Sequence, residues 1–192
     1  MFTSLNPDLI MLQEMMCDHI SALRLFGKLR PRWEFCALDS QGLSGGLLTG
    51  WNHIITRCKA FHSFASVLIN ARFKGPDSIF SIVNCYGPYS NKNIFWECVV
   101  AGGIFNYPNL ILDGDLNFTL SDLEVWGEKA RLDQRAHYFS HLLDSMNMVD
   151  LAPITPGPTW RNQRMGSVGV SKRLDRFLAS INLIPMLGNY NS

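Results

Sequence analysis

Charge is scarce in this chain. Charged residues fill 17% of its 192 positions, and 17 Lys and Arg nearly cancel 16 Asp and Glu, leaving a net charge of +1. A free-standing nucleic-acid-binding domain usually carries a clear basic excess, and the overall balance shows none. Long hydrophobic runs are missing too. No apolar stretch approaches the roughly 18–20 residues that span a bilayer. The opening MFTSLNPDLIMLQE has neither a basic n-region nor a long apolar h-region. The expectation is an intracellular protein, nuclear or cytoplasmic, neither secreted nor membrane-bound. The five cysteines are odd in number and show no C-x-x-C spacing. Several lie inside apolar runs, which predicts buried free thiols in a reducing compartment. Repeats, heptads, low-complexity tracts and a dividing linker are all absent, so a single domain over residues 1–192 is expected.

What is present is a globular core. Hydrophobic residues make up 47% of the chain, enough for one sizeable core. Asn6-Pro7-Asp8 signals a turn, followed by a strand from Leu9 to Leu12. Ile20, Leu23 and Phe26 recur at helical spacing, so Cys17 to Leu29 reads as a helix stopped by Pro31. Glu34–Leu38 and Leu47–Trp51 read as strands around the Gly-rich turn in GLSGGLLTGW. Phe61–Phe73 and Ile79–Tyr86, separated by KGPDS, suit a hairpin with a long loop. The period then becomes helical at Phe95, Cys98, Val99, Gly102 and Phe105. Leu110–Leu112 is a strand. Ala136, Phe139, Leu142, Leu143 and Met146 form the clearest amphipathic helix, with Asp133 near its start. VDL, PTW and RLDRFLAS are short strand candidates. Mixed strands, helices and hairpins predict layered α/β sheets rather than a uniform βαβ array.

Three strand ends carry polar groups that could do chemistry. Glu14 ends the first strand in IMLQE. Asp115 and Asn117 end another in LILDGDLN, where alternation lets Asp113, Asp115 and Asn117 face one way. Asp175 opens a third in RLDRF. Glu, Asp and Asn form an oxygen-donor set suited to Mg²⁺ or Mn²⁺, which can clamp and polarise a phosphate. Each piece has an ordinary reading as well. Glu14 can be a helix cap or a surface carboxylate, and DGDLN can be an Asx turn. Tyr86 and Trp160 can be core aromatics. From Thr159 to Arg176 five basic residues (Arg161, Arg164, Lys172, Arg173, Arg176) meet one acid, Asp175, so that stretch either faces phosphates or is a solvated basic loop.

In order, NPDLIMLQE, LSGGLLTGW, NCYGP, DGDLN, TW and RLDRFL resemble the endonuclease/exonuclease/phosphatase superfamily. The likeness is greatest to the apurinic-like endonuclease domain of plant LINE-type (non-LTR) retrotransposons, over roughly Asn6 to Ser180. The resemblance implies a four-layer α/β sandwich of two mixed sheets flanked by helices. It implies metal-dependent phosphodiester hydrolysis that nicks DNA, with Mg²⁺ (or Mn²⁺) as cofactor and DNA as partner. In an intact element a reverse-transcriptase region would be a further partner. By motif, Glu14 is the metal-binding glutamate and Asp115 the aspartate that ligates metal and orients water. Tyr86 approaches the scissile phosphate, Asn117 holds it, and Asp175 orients a catalytic histidine. Trp160 and Arg173 join Asn117 as candidate substrate contacts.

The match is incomplete. The family's first-strand asparagine motif, W-N-x-R-G, does not occur, and Asn6 is no substitute. Neither does the S-D-H motif: His19, His53, His62, His137 and His141 all lie in other contexts. His137 and His141 are expected on the surface of their helix. The sandwich is therefore expected to be incomplete at its first and last strands, with exposed edges. Losing a main electrostatic or acid–base contributor costs on the order of 10²–10⁴ in rate, so impaired activity is expected. Two alternatives stand beside nicking: a catalytically inactive remnant that binds nucleic acid or protein weakly, and a phosphatase on the same scaffold. Asp113 is an added carboxylate where the family has a small or apolar residue.

Overall fold

The computed structural model describes residues 7–39, 46–54, 56–62, 66–73 and 78–187. The chain divides into two compact units, residues 1–86 and 87–192. The expected Gly-rich turn at 42–45 and most of the KGPDS loop lie outside the described residues.

The first unit holds β1 (Leu9–Met15), α1 (His19–Leu29), β2 (Trp33–Leu38), β3 (Gly46–Asn52), β4 (Thr56–His62), β5 (Ser66–Phe73) and β6 (Phe80–Cys85). Strands β1, β3 and β2 form an antiparallel sheet with β3 in the centre. A second antiparallel run joins β4, β5 and β6. The β3 strand packs against β5 and β6, which puts it between two layers. Its residues Gly46–Trp51 are accordingly buried throughout rather than alternately, the pattern of a strand covered on both faces. Gly50 is required there: a Cβ would collide with the Phe35 ring on β2. Helix α1 lies against β2 and β3. Asp18 caps it, its Oδ1 accepting from the Ser21 amide at 2.9 Å. The expected Phe61–Phe73 strand is in fact two, β4 and β5, an additional antiparallel hairpin.

The second unit holds α2 (Lys92–Ala101), β7 (Leu110–Asp115), β8 (Val125–Trp126), α3 (Ala136–Ser145), β9 (Met148–Asp150), β10 (Trp160–Arg161), β11 (Ser171–Lys172), β12 (Asp175–Ser180) and α4 (Ile184–Leu187). β12 pairs antiparallel with β7 on one side and β9 on the other. β10, β11 and β8 make a small separate sheet. Trp96 of α2, Phe139 of α3 and Phe118 form an aromatic core. The Phe118 and Phe139 rings stack 4.1 Å apart, and Trp96 meets both edge-on. Helix α2 buries Phe95, Trp96 and Val99, while Cys98 is exposed. The helical period therefore selected the wrong partner at that turn, because the bulky indole takes the inner position. Cys17 is exposed as well, Cys58 is half-buried, and Cys36 and Cys85 are buried. The expectation of buried thiols holds for the last two. No described helix is long and apolar enough to cross a membrane.

Candidate active site

In the first unit the site residues hang from a distortion in β1. The pairing of β1 with β3 is regular from Leu9 to Leu12 and shifts register before Met15, which marks a β-bulge. Within it Glu14 adopts φ 55°, the left-handed region. That conformation is uncommon for a residue other than Gly, Asn or Asp and costs of order 1–3 kcal/mol. The result is an exposed carboxylate on an otherwise half-buried strand. Tyr86, 8% exposed, donates its hydroxyl to Glu14 Oε1 at 2.8 Å. Sequence reasoning missed the residue that anchors this turn. Asn84 is fully buried, and its Nδ2 donates to the carbonyls of Leu12 (3.2 Å) and Leu48 (3.1 Å) and to Thr49 Oγ1 (3.1 Å). Its Oδ1 accepts from Gln13 Nε2 at 2.8 Å. One amide thus ties β6 to β1 and β3, directly before Glu14. Its signal in the sequence was a polar side chain inside the apolar SIVNCY run, since a buried amide must find partners.

In the second unit β7 alternates cleanly. Leu110, Leu112 and Gly114 are buried, while Ile111, Asp113 and Asp115 are half-buried on the other face. Asp113 and Asp115 therefore do face one way. Asn117 does not continue the alternation. The strand stops at Asp115, and Asn117 turns left-handed at φ 56°. Its amide N–H donates to Asp115 Oδ1 at 2.9 Å, so DGDLN is an Asx turn. Its side chain is 2% exposed and donates from Nδ2 to the Gly87 carbonyl at 2.7 Å. The Gly87 amide in turn donates to the Asp115 carbonyl at 2.7 Å. Gly87 is obligatory, because a Cβ would run into the Leu116 carbonyl oxygen. The turn reading and the site reading thus describe the same geometry.

Asp175 sits directly across from Asp115 in the β12–β7 register. Direct antiparallel partners share a face with Cβ atoms about 5 Å apart, and like charges there are unfavourable. Asp175 is exposed, and its backbone N–H donates to Thr159 Oγ1 at 3.0 Å. Among the described residues no histidine hydrogen-bonds Asp175. His137 and His141 are exposed on α3, as expected. Trp160 is half-buried on β10.

Arg173, expected as a substrate contact, lies inside the second unit instead of on its surface. Arg173 is 3% exposed and fully engaged by carboxylates: Nη1 donates to Glu124 Oε1 (2.8 Å) and Asp150 Oδ2 (2.6 Å), and Nη2 to Asp150 Oδ1 (2.8 Å). Arg176 is equally buried against the same two acids. The basic stretch is thus split: Arg161 and Arg164 are exposed, whereas Arg173 and Arg176 are neutralised inside the unit. Glu124 was not foreseen. Burial alone would raise its pKa, but the Arg176 and Arg173 hydrogen bonds and the Leu120 amide outweigh that and hold its carboxyl low. Burial lowers the pKa of Lys172, and Lys92 adds to this.

Both units combine β-sheets with helices, an α/β architecture. Among solved structures the chain is similar to the endonuclease domain of TRAS1, a telomere-specific non-LTR retrotransposon, at 15% identity and TM-score 0.65, covering 93% of this chain and 88% of that one. It is likewise similar to the AP endonuclease LMAP from Leishmania major, at 18% identity and TM-score 0.65, covering 95% and 72%. A third similar structure is D. rerio TDP2 complexed with single-strand DNA product, at 14% identity and TM-score 0.58, covering 96% and 75%. At these identities the likeness establishes the fold. No protein-family model and no curated protein matches the chain.

Proposed function

We propose that this chain is a divalent-metal-dependent phosphodiester hydrolase of the DNA-nicking type. One observation carries the reading: Glu14 is held in a costly left-handed conformation on a bulge, with its carboxylate exposed and gripped by a buried tyrosine hydroxyl. Strained backbone that exposes and orients one carboxylate is a mark of a functional position. The similar structures support the reading, since they include two endonucleases and a protein complexed with single-strand DNA product.

Among the described residues no group of three or more His, Cys, Asp or Glu could hold an ion by itself. Mg²⁺ does not need one, because it is commonly held by one or two carboxylates together with waters and substrate phosphates. In the first unit Glu14 fits that mode with hard oxygen donors, and in the second unit Asp115 offers donors of the same kind; Mn²⁺ suits either. When bound, the ion would polarise the phosphodiester and make its water more acidic. The chain's own groups would do the rest. Tyr86 fixes the rotamer of Glu14 through Oε1. Asp115, pinned through Oδ1 by the Asn117 amide, orients the attacking water and takes its proton. Asn117 Nδ2 has a second N–H for a phosphate oxygen. Asp175 adds a carboxylate beside Asp115, and Trp160 offers an aromatic face for a base. Water attacks phosphorus, the P–O3′ bond breaks, and the departing O3′ takes a proton from solvent, leaving a 3′-hydroxyl end and a 5′-phosphate end. The same reading puts the protein inside the cell, in nucleus or cytoplasm, with DNA as its partner.

The test is relaxation of supercoiled plasmid with Mg²⁺, compared with Glu14→Ala and with EDTA. Magnesium-dependent nicking that Glu14→Ala removes supports the reading. Its absence over a range of metals and protein concentrations overturns it. Release of phosphate from a small phosphomonoester without nicking would reassign the scaffold to a phosphatase.

A further inference from the structure

Three charged side chains, Glu124, Arg173 and Arg176, are buried together in the second unit and meet a fourth, the half-buried Asp150. Beyond the Arg173 bonds already given, Arg176 donates from Nη1 to Glu124 Oε1 (2.9 Å) and Asp150 Oδ2 (2.5 Å), and from Nη2 to Glu124 Oε2. A buried ion network is weak evidence for stability, because well-packed apolar residues often serve as well. What distinguishes this one is where its remaining bonds go. Arg176 Nη2 also donates to the Phe118 carbonyl at 3.2 Å, and its guanidinium lies 5.1 Å over the Phe118 ring. Glu124 Oε2 accepts from the Leu120 amide at 2.7 Å. The Glu124 carbonyl accepts from the Arg173 amide at 3.1 Å, and the Leu116 amide donates to the Leu174 carbonyl at 3.1 Å. The segment 116–124 is therefore held at both ends by residues 173–176. Asn117 lies inside that grip, next to Phe118. It is the residue whose left-handed backbone needs surroundings that over-determine it.

We propose that Arg176 and Glu124 are positioning residues for Asn117. Their network fixes Phe118 and Leu120, and so holds Asn117 in the turn that points its amide at Gly87. The effect on rate rests on the hydrolase reading; the positioning itself does not.

The experiment uses the full chain, ¹⁵N-labelled, with the double variant Arg176→Met/Glu124→Gln. This removes one buried cation and one buried anion together, so Arg173 and Asp150 keep their pair. In the wild type the Asn117 side-chain NH₂ should give two dispersed, slowly exchanging signals. In the folded double variant they should move towards exposed-amide positions and exchange at least about tenfold faster. Nicking kcat per folded molecule should fall about 10–100-fold, the scale of a small misplacement, with KM within about twofold. A merely structural role would lower Tm and leave the Asn117 signals and the kcat per folded molecule unmoved, and that result overturns the proposal. If the wild type does not nick, the hydrolase reading falls and the Asn117 signals alone decide the positioning. Should the double variant not fold, Glu124→Asp, which retracts the carboxylate by one methylene, is read on the same signals with the same two outcomes.

Discussion

Replacing Asn84 with alanine should cost the first unit about 3–4 kcal/mol. The side chain is fully buried, and four hydrogen bonds meet at its amide. Nδ2 has only two hydrogens for three acceptors, so two donations and the one acceptance from Gln13 are the effective count. At about 1 kcal/mol net each, they account for about 3 kcal/mol. The rest comes from the void left beside β3 and from carbonyls that lose a donor away from water. Urea unfolding followed by tryptophan fluorescence gives the change in midpoint, with Trp33 and Trp51 reporting on this unit. The same variant should reduce Mg²⁺-dependent nicking in its folded fraction, because the bulge that presents Glu14 loses its anchor. A loss of stability below about 1 kcal/mol would refute the reasoning, since it would mean that water or neighbouring groups satisfy the carbonyls equally well.

Glu14→Gly should separate stability from function. It relieves the positive φ and should raise the unfolding free energy by about 1 kcal/mol, while abolishing nicking; a destabilised Glu14→Gly protein would speak against stored strain. The Glu124 carboxyl is held below its ordinary 4.5 by arginine hydrogen bonds that outweigh burial, so the unfolded chain binds its proton more readily than the folded one. Its stabilising contribution is then full above pH 4.5 and is lost as pH falls through the folded value, and Arg176→Met/Glu124→Gln should flatten this acid limb in pH-dependent unfolding. With native protein at pH 8, a thiol reagent should label Cys17 and Cys98 quickly and the other three slowly. Cys36 is buried, and burial pushes the Cys58 and Cys85 thiols up to about 12, with Glu34 adding to it at Cys58. Five equally fast thiols would contradict the burial of β2, β4 and β6.

Much of this architecture was legible because apolar period and turn residues follow directly from local geometry. The β7 strand, α1, and α3 with its apolar face lie close to where the pattern puts them. Two kinds of feature were not legible. The first is pairing over long sequence distance. Nothing local near Glu124 or Asp150 announces that two arginines some fifty and twenty-five positions on will bury against them, so Arg173 read as a surface cation. The second is bulk deciding between positions on opposite flanks of the Phe95–Val99 stripe, which placed Trp96 inside and Cys98 out. The candidate site was half visible. Glu14, Asp115 and Asn117 could be named from motifs, but the bulge and the Asx turn that give them their geometry depend on φ values that the residue names do not reveal.

The four-charge network also has a genetic consequence. Among the described residues Arg173, Arg176, Glu124 and Asp150 neutralise one another, so any single loss leaves an uncompensated charge in a largely buried network, typically worth about 3–5 kcal/mol. A saturation library built one position at a time would score all four as intolerant and suggest four independent constraints. Substitutions that remove a cation and an anion together should survive far more often than the product of their single effects predicts. Sequence drift at these positions would then proceed in pairs, with the second change selected almost as soon as the first appears.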